Sequence, residues 1–389
     1  MQLNPNLLAT SASPVVEAKR WIAGKSFDTD RPLLNVSQAA PIDPPPEALR
    51  EVIARAAMDE PMAHVYGPVL GLPDLRAEVA AQFSAAYGGK ITTDNVAITQ
   101  GCNQAFCAAI ATLGAAGDEV ILPVPWYFNH QMWLDMAGVK TVPLPTGPDL
   151  LPRIEDAQAR VNSRTRAIVL VTPNNPAGVE YPANLVHDFA ALARKHDIAL
   201  IVDETYRDFD SRSGAPHHLF LDPDWSETVI QLYSFSKAYR LTGHRVGALI
   251  AASDRLIQVE KFLDTIAICP NQLGQRAALW GMRNLGDWLA GERAEILARR
   301  SAIEAGFARL PGWKLLGAGA YFAYASHPYD EDATTLARRM VDQIGVLALP
   351  GSFFAPKGDD QAARQLRIAF ANIDRTQIAT LMDRLASLS

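Results

Sequence analysis

Cysteine is scarce in this chain: three residues in 389, Cys102, Cys107 and Cys269. Three scattered thiols cannot build a disulfide framework, and they favour a reducing, cytoplasmic setting. The five-residue step from Cys102 to Cys107 has no histidine or second cysteine pair beside it, so no metal site is expected. The adjacent His217 and His218 read as a polar loop rather than as a ligand pair. An excess of basic charge is also missing. Lys and Arg number 36 against 42 Asp and Glu, a net charge of −6, which removes any general attraction to nucleic acid or anionic lipid. No apolar run reaches the roughly 20 residues that cross a bilayer. The first residues, MQLNPNLLATSASP, lack the basic start and apolar stretch of a signal peptide. Repeats and low-complexity tracts are absent too. What remains is the expectation of a soluble cytoplasmic protein, 49% hydrophobic and long enough for two domains.

The punctuation along the chain divides it. PIDPPP, residues 41–46, is a proline-rich break that cannot lie inside a helix. PEALREVIARAAMDE then has helical periodicity, and LPDLRAEVAAQFSAAYGG reads as a second helix closed by Gly88-Gly89. From about residue 95, short apolar strands alternate with helical stretches: NVAIT, DEVILPVP, KTVPLP, RAIVLVTP, IALIVDE and TVIQLYSFS. That alternation predicts an α/β fold with a mostly parallel sheet flanked by helices. A helical tract over residues 271–310 leads to a smaller α+β region with strands in KLLGAGAYFAY, GVLALP and QLRIAFA, then a last helix from about Thr376. The expected domains are a large one over 47–275 and a discontinuous small one made of 1–46 and 276–389.

In parallel sheets, ligands gather at the C-terminal ends of the strands, and the unusual polar residues fall there. Asp203 ends the strand ALIVD, where a carboxylate is costly unless it caps a helix or holds a cationic nitrogen. Lys237 follows a strand by three residues, between Ser234, Ser236 and Arg245. It is either a snorkelling surface lysine or an amine depressed by burial and a neighbouring cation, ready to form a Schiff base. Gly101-Cys102-Asn103 runs from a strand into a helix and offers free N–H groups to a phosphate. Tyr127 supplies a flat face. Asn175 sits in an Asn-Pro turn, and Arg367 lies in an apolar strand that calls for a carboxylate partner. Each residue is ambiguous singly. Together they describe a ligand with a phosphate, a cationic ring nitrogen, an aromatic face and an aldehyde, which is pyridoxal 5′-phosphate.

These segments are similar, in order, to the motifs of the class I/II aminotransferases of the fold-type I pyridoxal-phosphate superfamily, the aspartate/aromatic group. The residues that carry the resemblance are HVYGPVLGLPDLR, TPNNPAG, IVDETY, SFSKAYRLTGHRVG and LRIAFA. It implies a ping-pong transfer of an amino group between an L-amino acid and a 2-oxo acid, with Lys237 carrying the cofactor as an aldimine and moving the proton. By the same resemblance Asp203 would pair with the pyridine nitrogen, and Asn175 and Tyr206 with the phenolic oxygen. Tyr127 would stack on the ring. Gly101, Cys102, Asn103, Ser234, Ser236 and Arg245 would hold the phosphate. Tyr66 would reach the phosphate of a neighbouring subunit, which implies a homodimer with shared active sites. Arg367 would clamp the substrate α-carboxylate, with Ala39 nearby.

Three positions depart from the family pattern. Ala39 stands where many relatives have Gly, Arg240 where Gly is frequent, and His130 where an aromatic residue is common near the ring. No residue stands out as a clamp for a second carboxylate. The same fold also hosts β-eliminating lyases, cyclases and non-catalytic regulatory modules. The retained lysine, and the lack of a basic DNA-reading segment, argue against the last of these.

Overall fold

The computed structural model describes residues 1–388. Seven strands form the central sheet in the spatial order Val96–Thr99, Gly247–Ile250, Val229–Ser234, Ala199–Asp203, Thr165–Val171, Glu119–Val124 and Lys140–Pro145. The last five run parallel. Gly247–Ile250 is antiparallel to both of its neighbours. It is the one strand of this sheet that the sequence does not separate, because four apolar residues after a polar turn are too short to display a period.

The strands are β-rich runs because both of their faces are buried. Ile168, Leu170, Leu200 and Val202 pack on one side with Phe83, Phe189 and Ala277. The alternate residues Ala167, Val169, Ala199 and Ile201 pack on the other with Phe106, Val259 and Leu263. Period-two alternation thus feeds two apolar layers, each covered by helices. Helices Pro73–Tyr87 and Phe128–Ala137 both stop at a left-handed glycine, Gly88 at φ 73° and Gly138 at φ 71°.

The expected helical tract is two helices, Gln272–Asn284 and Gly286–Phe307, which break at Leu285. Residue 275 lies within the first of them, whose Ala277, Ala278 and Met282 pack with Leu49 and Leu75 against the large sheet. The second helix passes from that core to another, where Ile296, Ile303 and Phe307 are buried.

This other core belongs to the smaller body. Its antiparallel sheet has the order Leu349–Pro350, Gln365–Ile368, Phe322–Ser326 and Lys314–Gly319. The N-terminal segment completes it. Ala18 and Trp21 of helix Pro14–Ile22 pack with Met340, Leu366 and Ile378, and Leu34–Asn35 pairs in parallel with Val346–Leu347. Among the described residues, no helix is long and apolar enough to cross a membrane.

Candidate active site

A cleft of about 440 Å³ opens where the parallel strands end. Lys237 lies on its floor. The strand Val229–Ser234 ends in a one-turn helix, Phe235–Ala238, capped by the Ser234 hydroxyl, which accepts from the Ser236 amide at 3.3 Å. This turn points the lysine inward, and its Nζ donates to the Ala39 carbonyl at 2.6 Å. Burial, then the positive charges of Arg245 and Arg367, pull the amine down to about 8. About a tenth of such amines are uncharged at pH 7, against about three in ten thousand for an ordinary lysine.

Asp203 is buried at the end of its strand, and its Oδ1 accepts from the Thr205 amide at 3.0 Å. The imidazole of His130, equally buried, faces the other carboxylate oxygen with Nε2 at 3.2 Å from Oδ2. Burial pushes the carboxyl upward, but His130 and Thr205 outweigh it and hold the group below the ordinary carboxylate range. The His130 ring is clamped in turn by Phe106, stacked at 3.9 Å, and by Tyr127, edge-on at 5.0 Å. Tyr127 opens helix Phe128–Ala137. Its phenol accepts from Asn129 at 2.8 Å and donates to Asn103 at 3.2 Å, while burial and the Asp203 charge push it up to about 12.

The opposite end of the cleft gathers a helix start, two serine hydroxyls and an arginine. Gly101 takes φ 84° and turns the strand Val96–Thr99 into helix Cys102–Leu113, whose first two residues line the cleft. A Cβ at Gly247 would lie 2.6 Å from the Gly101 carbonyl carbon and 2.7 Å from the Cys102 nitrogen, so the antiparallel strand presses directly on this turn. Arg245 stands beside it, with Nη1 3.4 Å from Ser236 Oγ and 3.0 Å from the Thr242 carbonyl. Cys102, Asn103, Ser234, Ser236 and Arg245 line the cleft together; Gly101, which turns the chain into that helix, does not.

Arg367 is buried between the rings of Phe322 and Phe354, 5.1 and 4.9 Å from their centroids. Nη1 donates to Asn175 Oδ1 at 3.1 Å and Nη2 to the Ser37 carbonyl, while Nε has no partner. Burial pulls this group down to about 10, so it stays charged at neutral pH. Asn174 braces the turn before it, accepting from the Ala177 amide at 2.9 Å. Tyr206 is buried with its ring centroid 5.9 Å from Lys237 Nζ, and burial raises its phenol far above the usual value.

These donors fit the cofactor that the sequence calls for. A phosphate would have the helix amides, two hydroxyls and Arg245. A protonated ring nitrogen would have Asp203, and an aldehyde would have the Lys237 amine, lowered by burial. Arg367 has an unpaired Nε and no carboxylate partner among the described residues, which leaves it for a ligand anion.

Of the sequence-derived candidates, Ala39, Cys102, Asn103, Tyr127, Asn175 and Asp203 line the cleft. Tyr206, Ser234, Ser236, Lys237, Arg245 and Arg367 complete the set. Gly101 and Tyr66 do not; Tyr66 is 75% exposed. Thr205, Thr242, Gln38 and Asn129 also line the cleft, as do Val15, Val16 and Lys19 of helix Pro14–Ile22. Nothing in their local sequence marks them. The His130–Asp203 pair had one available sign: His130 lies three residues after Tyr127, on the same face of a helix. The polar-loop reading of the histidine pair is corrected for His217. It is buried, stacked on Tyr87 at 4.7 Å, with Nε2 3.6 Å from Glu204, beyond hydrogen-bond reach of a carboxylate that accepts from Tyr87 and Gln231. A histidine is admitted to the interior there because an aromatic face stacks on it and a carboxylate stands nearby.

The model of the family aminotransferase class I and II matches residues 31–385. Among relatives, the aromatic aminotransferase ISS1 of Arabidopsis thaliana is 29% identical over 353 residues, covering 88% of this chain and 86% of that protein. The aromatic-amino-acid aminotransferase 2 of Thermococcus litoralis is 28% identical over 361 residues, 87% of each chain. The structure of the Thermus thermophilus aspartate aminotransferase with maleate superposes with a TM-score of 0.91 over the whole of both chains at 23% identity, so the fold is shared. A family match running over most of the chain carries the conclusion: this chain belongs to the class I and II aminotransferases, a family of pyridoxal-phosphate enzymes, and is a transaminase.

Proposed function

We propose that this chain binds pyridoxal 5′-phosphate in the cleft above Lys237 and moves an amino group between an L-amino acid and a 2-oxo acid in two half-reactions. The observation that carries this reading is the Lys237 amine, held inward by Ala39 and depressed to about 8 beside two arginines. Bound cofactor supplies an electron sink for negative charge at the substrate Cα. The protein's own groups do the rest. Lys237 would hold the cofactor's aldehyde and, as a free amine, would take up and return the proton borne by the substrate Cα. Asp203, held ionised by His130, keeps the ring nitrogen protonated. Asn175 and Tyr206 serve the phenolic oxygen, Tyr127 covers the ring, and Arg367 receives the α-carboxylate with Ala39 beside it. Gly101, Cys102, Asn103, Ser234, Ser236 and Arg245 take the phosphate.

The active unit in this reading is a cytoplasmic homodimer. Tyr66 and Val65 are exposed together and lie next to Cys269, whose Sγ accepts from the Gly67 amide at 3.4 Å. Exposed Met62 and Ile268 extend the apolar strip. A second copy seated there would cover it and bring Tyr66 to the partner's phosphate.

The deciding experiment is a single-turnover panel, in which holoenzyme is mixed with each L-amino acid and the products are identified. One 2-oxo acid per site, with the amino group retained on the enzyme until a second oxo acid is added, supports transamination. Release of ammonia or thiol with pyruvate rejects it in favour of a lyase. No response to any amino acid rejects catalysis.

A further inference from the structure

Arg240 stands three residues beyond Lys237, outside the cleft, at φ 55°, a backbone region that side chains other than glycine rarely adopt. Its side chain is fully engaged. Nε and Nη2 each lie 2.9 Å from an oxygen of Glu292 on helix Gly286–Phe307. Nη1 donates to the Pro44 carbonyl at 3.3 Å and lies 3.5 Å from Asp43, and the guanidinium sits 5.4 Å from the ring centroid of Trp288.

Asp43 and Pro44 belong to the strap 36–44, which forms one wall of the cleft. At its near end the strap is well held: Val36 bonds to Leu347, and Asn372 binds the Asn35 and Gln38 carbonyls and the Ala40 amide. Between those anchors it offers the Ser37 carbonyl to Arg367 and the Ala39 carbonyl to Lys237. The far end has little to hold it. Pro41, Pro44, Pro45 and Pro46 have no amide hydrogen, so no backbone ladder can form there. Ile42 and Asp43 alone keep an amide hydrogen, and arginines bind two of the carbonyls: Arg240 at Pro44 and Arg50 at Pro45.

We propose that Arg240 is a positioning residue. By clamping Asp43 and Pro44 to the turn that carries Lys237, and both to Glu292, it fixes the strap whose carbonyls orient the lysine amine and the buried Arg367. The proposal rests on the reading that Lys237 anchors the cofactor and Arg367 the substrate carboxylate. A bidentate fork on a carboxylate, with a further donor left for a carbonyl, is a task for guanidinium that an ammonium cannot reproduce.

The test compares Arg240→Met and Arg240→Lys with Asp43→Asn and, as a remote control, Glu78→Gln, which breaks an ion pair to Arg283 away from the strap. In the apoprotein, amide exchange at residues 37–44, Ala40 included, is expected to quicken about tenfold in Arg240→Met and less in Arg240→Lys. In the holoenzyme, the KM for the amino donor is expected to rise about tenfold, with a smaller change in kcat. Asp43→Asn should move both readouts the same way, and Glu78→Gln neither. A lower melting temperature with strap exchange and KM unchanged would overturn the proposal and leave Arg240 a plain stabilising pair. If Arg240→Met does not fold, Arg240→Lys and Asp43→Asn decide the matter by the same readouts. Wild-type holoenzyme that transfers no amino group would defeat the functional reading instead, while the exchange measurement still judges the strap.

Discussion

His130 and Asp203 meet at 3.2 Å, both nearly excluded from solvent, across 73 residues of sequence (203 − 130). The imidazole offsets the burial that would otherwise raise the carboxyl. Replacing it leaves only Thr205 to oppose burial, so Asp203 should protonate at higher pH. For His130→Leu, the acid limb of the kcat/KM profile should move up by about one unit and kcat should fall about tenfold. Asp203→Asn should cost about a thousandfold or more in kcat. A His130→Leu profile that overlays the wild type would disprove the link.

The depressed lysine predicts a pH dependence for cofactor uptake. Only the neutral amine attacks an aldehyde, so the rate at which apoprotein takes up pyridoxal phosphate should climb as pH rises through about 8 and then level off. Arg245→Met removes one of the charges that depress the amine and should move that midpoint upward. Borohydride reduction followed by peptide mass should place the cofactor on Lys237. Lys237→Met should show no labelled peptide, and a label on any other lysine would refute the assignment.

Arg367 makes a quantitative prediction for substrate binding. Charge-assisted hydrogen bonds are worth about 1.5–3 kcal/mol, so Arg367→Met should raise the KM for amino acids by about 10- to 100-fold with a smaller loss in kcat. Arg367→Lys should recover part of it. Steady-state kinetics on any accepted amino acid checks this. An unchanged KM would mean that the α-carboxylate binds elsewhere.

Gly247→Ala tests the phosphate cradle without touching a polar group. The added Cβ meets the backbone of Gly101 and Cys102 rather than a side chain able to swing away. The turn must shift, at a cost of about 1–3 kcal/mol, and the Kd for pyridoxal phosphate should rise by about 10- to 100-fold while the chain still folds. Equilibrium titration of the apoprotein gives the answer, and wild-type affinity would show that the cradle tolerates the displacement.

Much of this site could be read from the sequence, because its parts are local. The acid at the end of ALIVD, the serines around Lys237 and the glycine before the helix each declare themselves within about ten residues. What joins distant segments was not legible. Arg240 is explained only by Glu292 and Asp43, which the fold brings beside it, and the burial of His217 depends on Tyr87 and Glu204 from other elements. The strand Gly247–Ile250 was too short to announce itself, and the cleft wall from helix Pro14–Ile22 carries ordinary amphipathic residues. In the fold, periodicity marked the parallel strands, while the helix across residue 275 showed its allegiance only through packing.

The core shared by the two ends of the chain has a consequence for synthesis. Trp21, Leu34 and Val36 share their core with residues such as Val346, Leu366 and Ile378, more than 300 positions later. At about 5–20 residues per second, a ribosome makes that stretch in roughly 15–60 s. During that interval these late partners of the first segment are missing, and the large sheet can assemble ahead of them. The strap that orients Lys237 is therefore among the last parts of the active site to settle, so a nascent chain can complete its cofactor cradle before it can close the cleft.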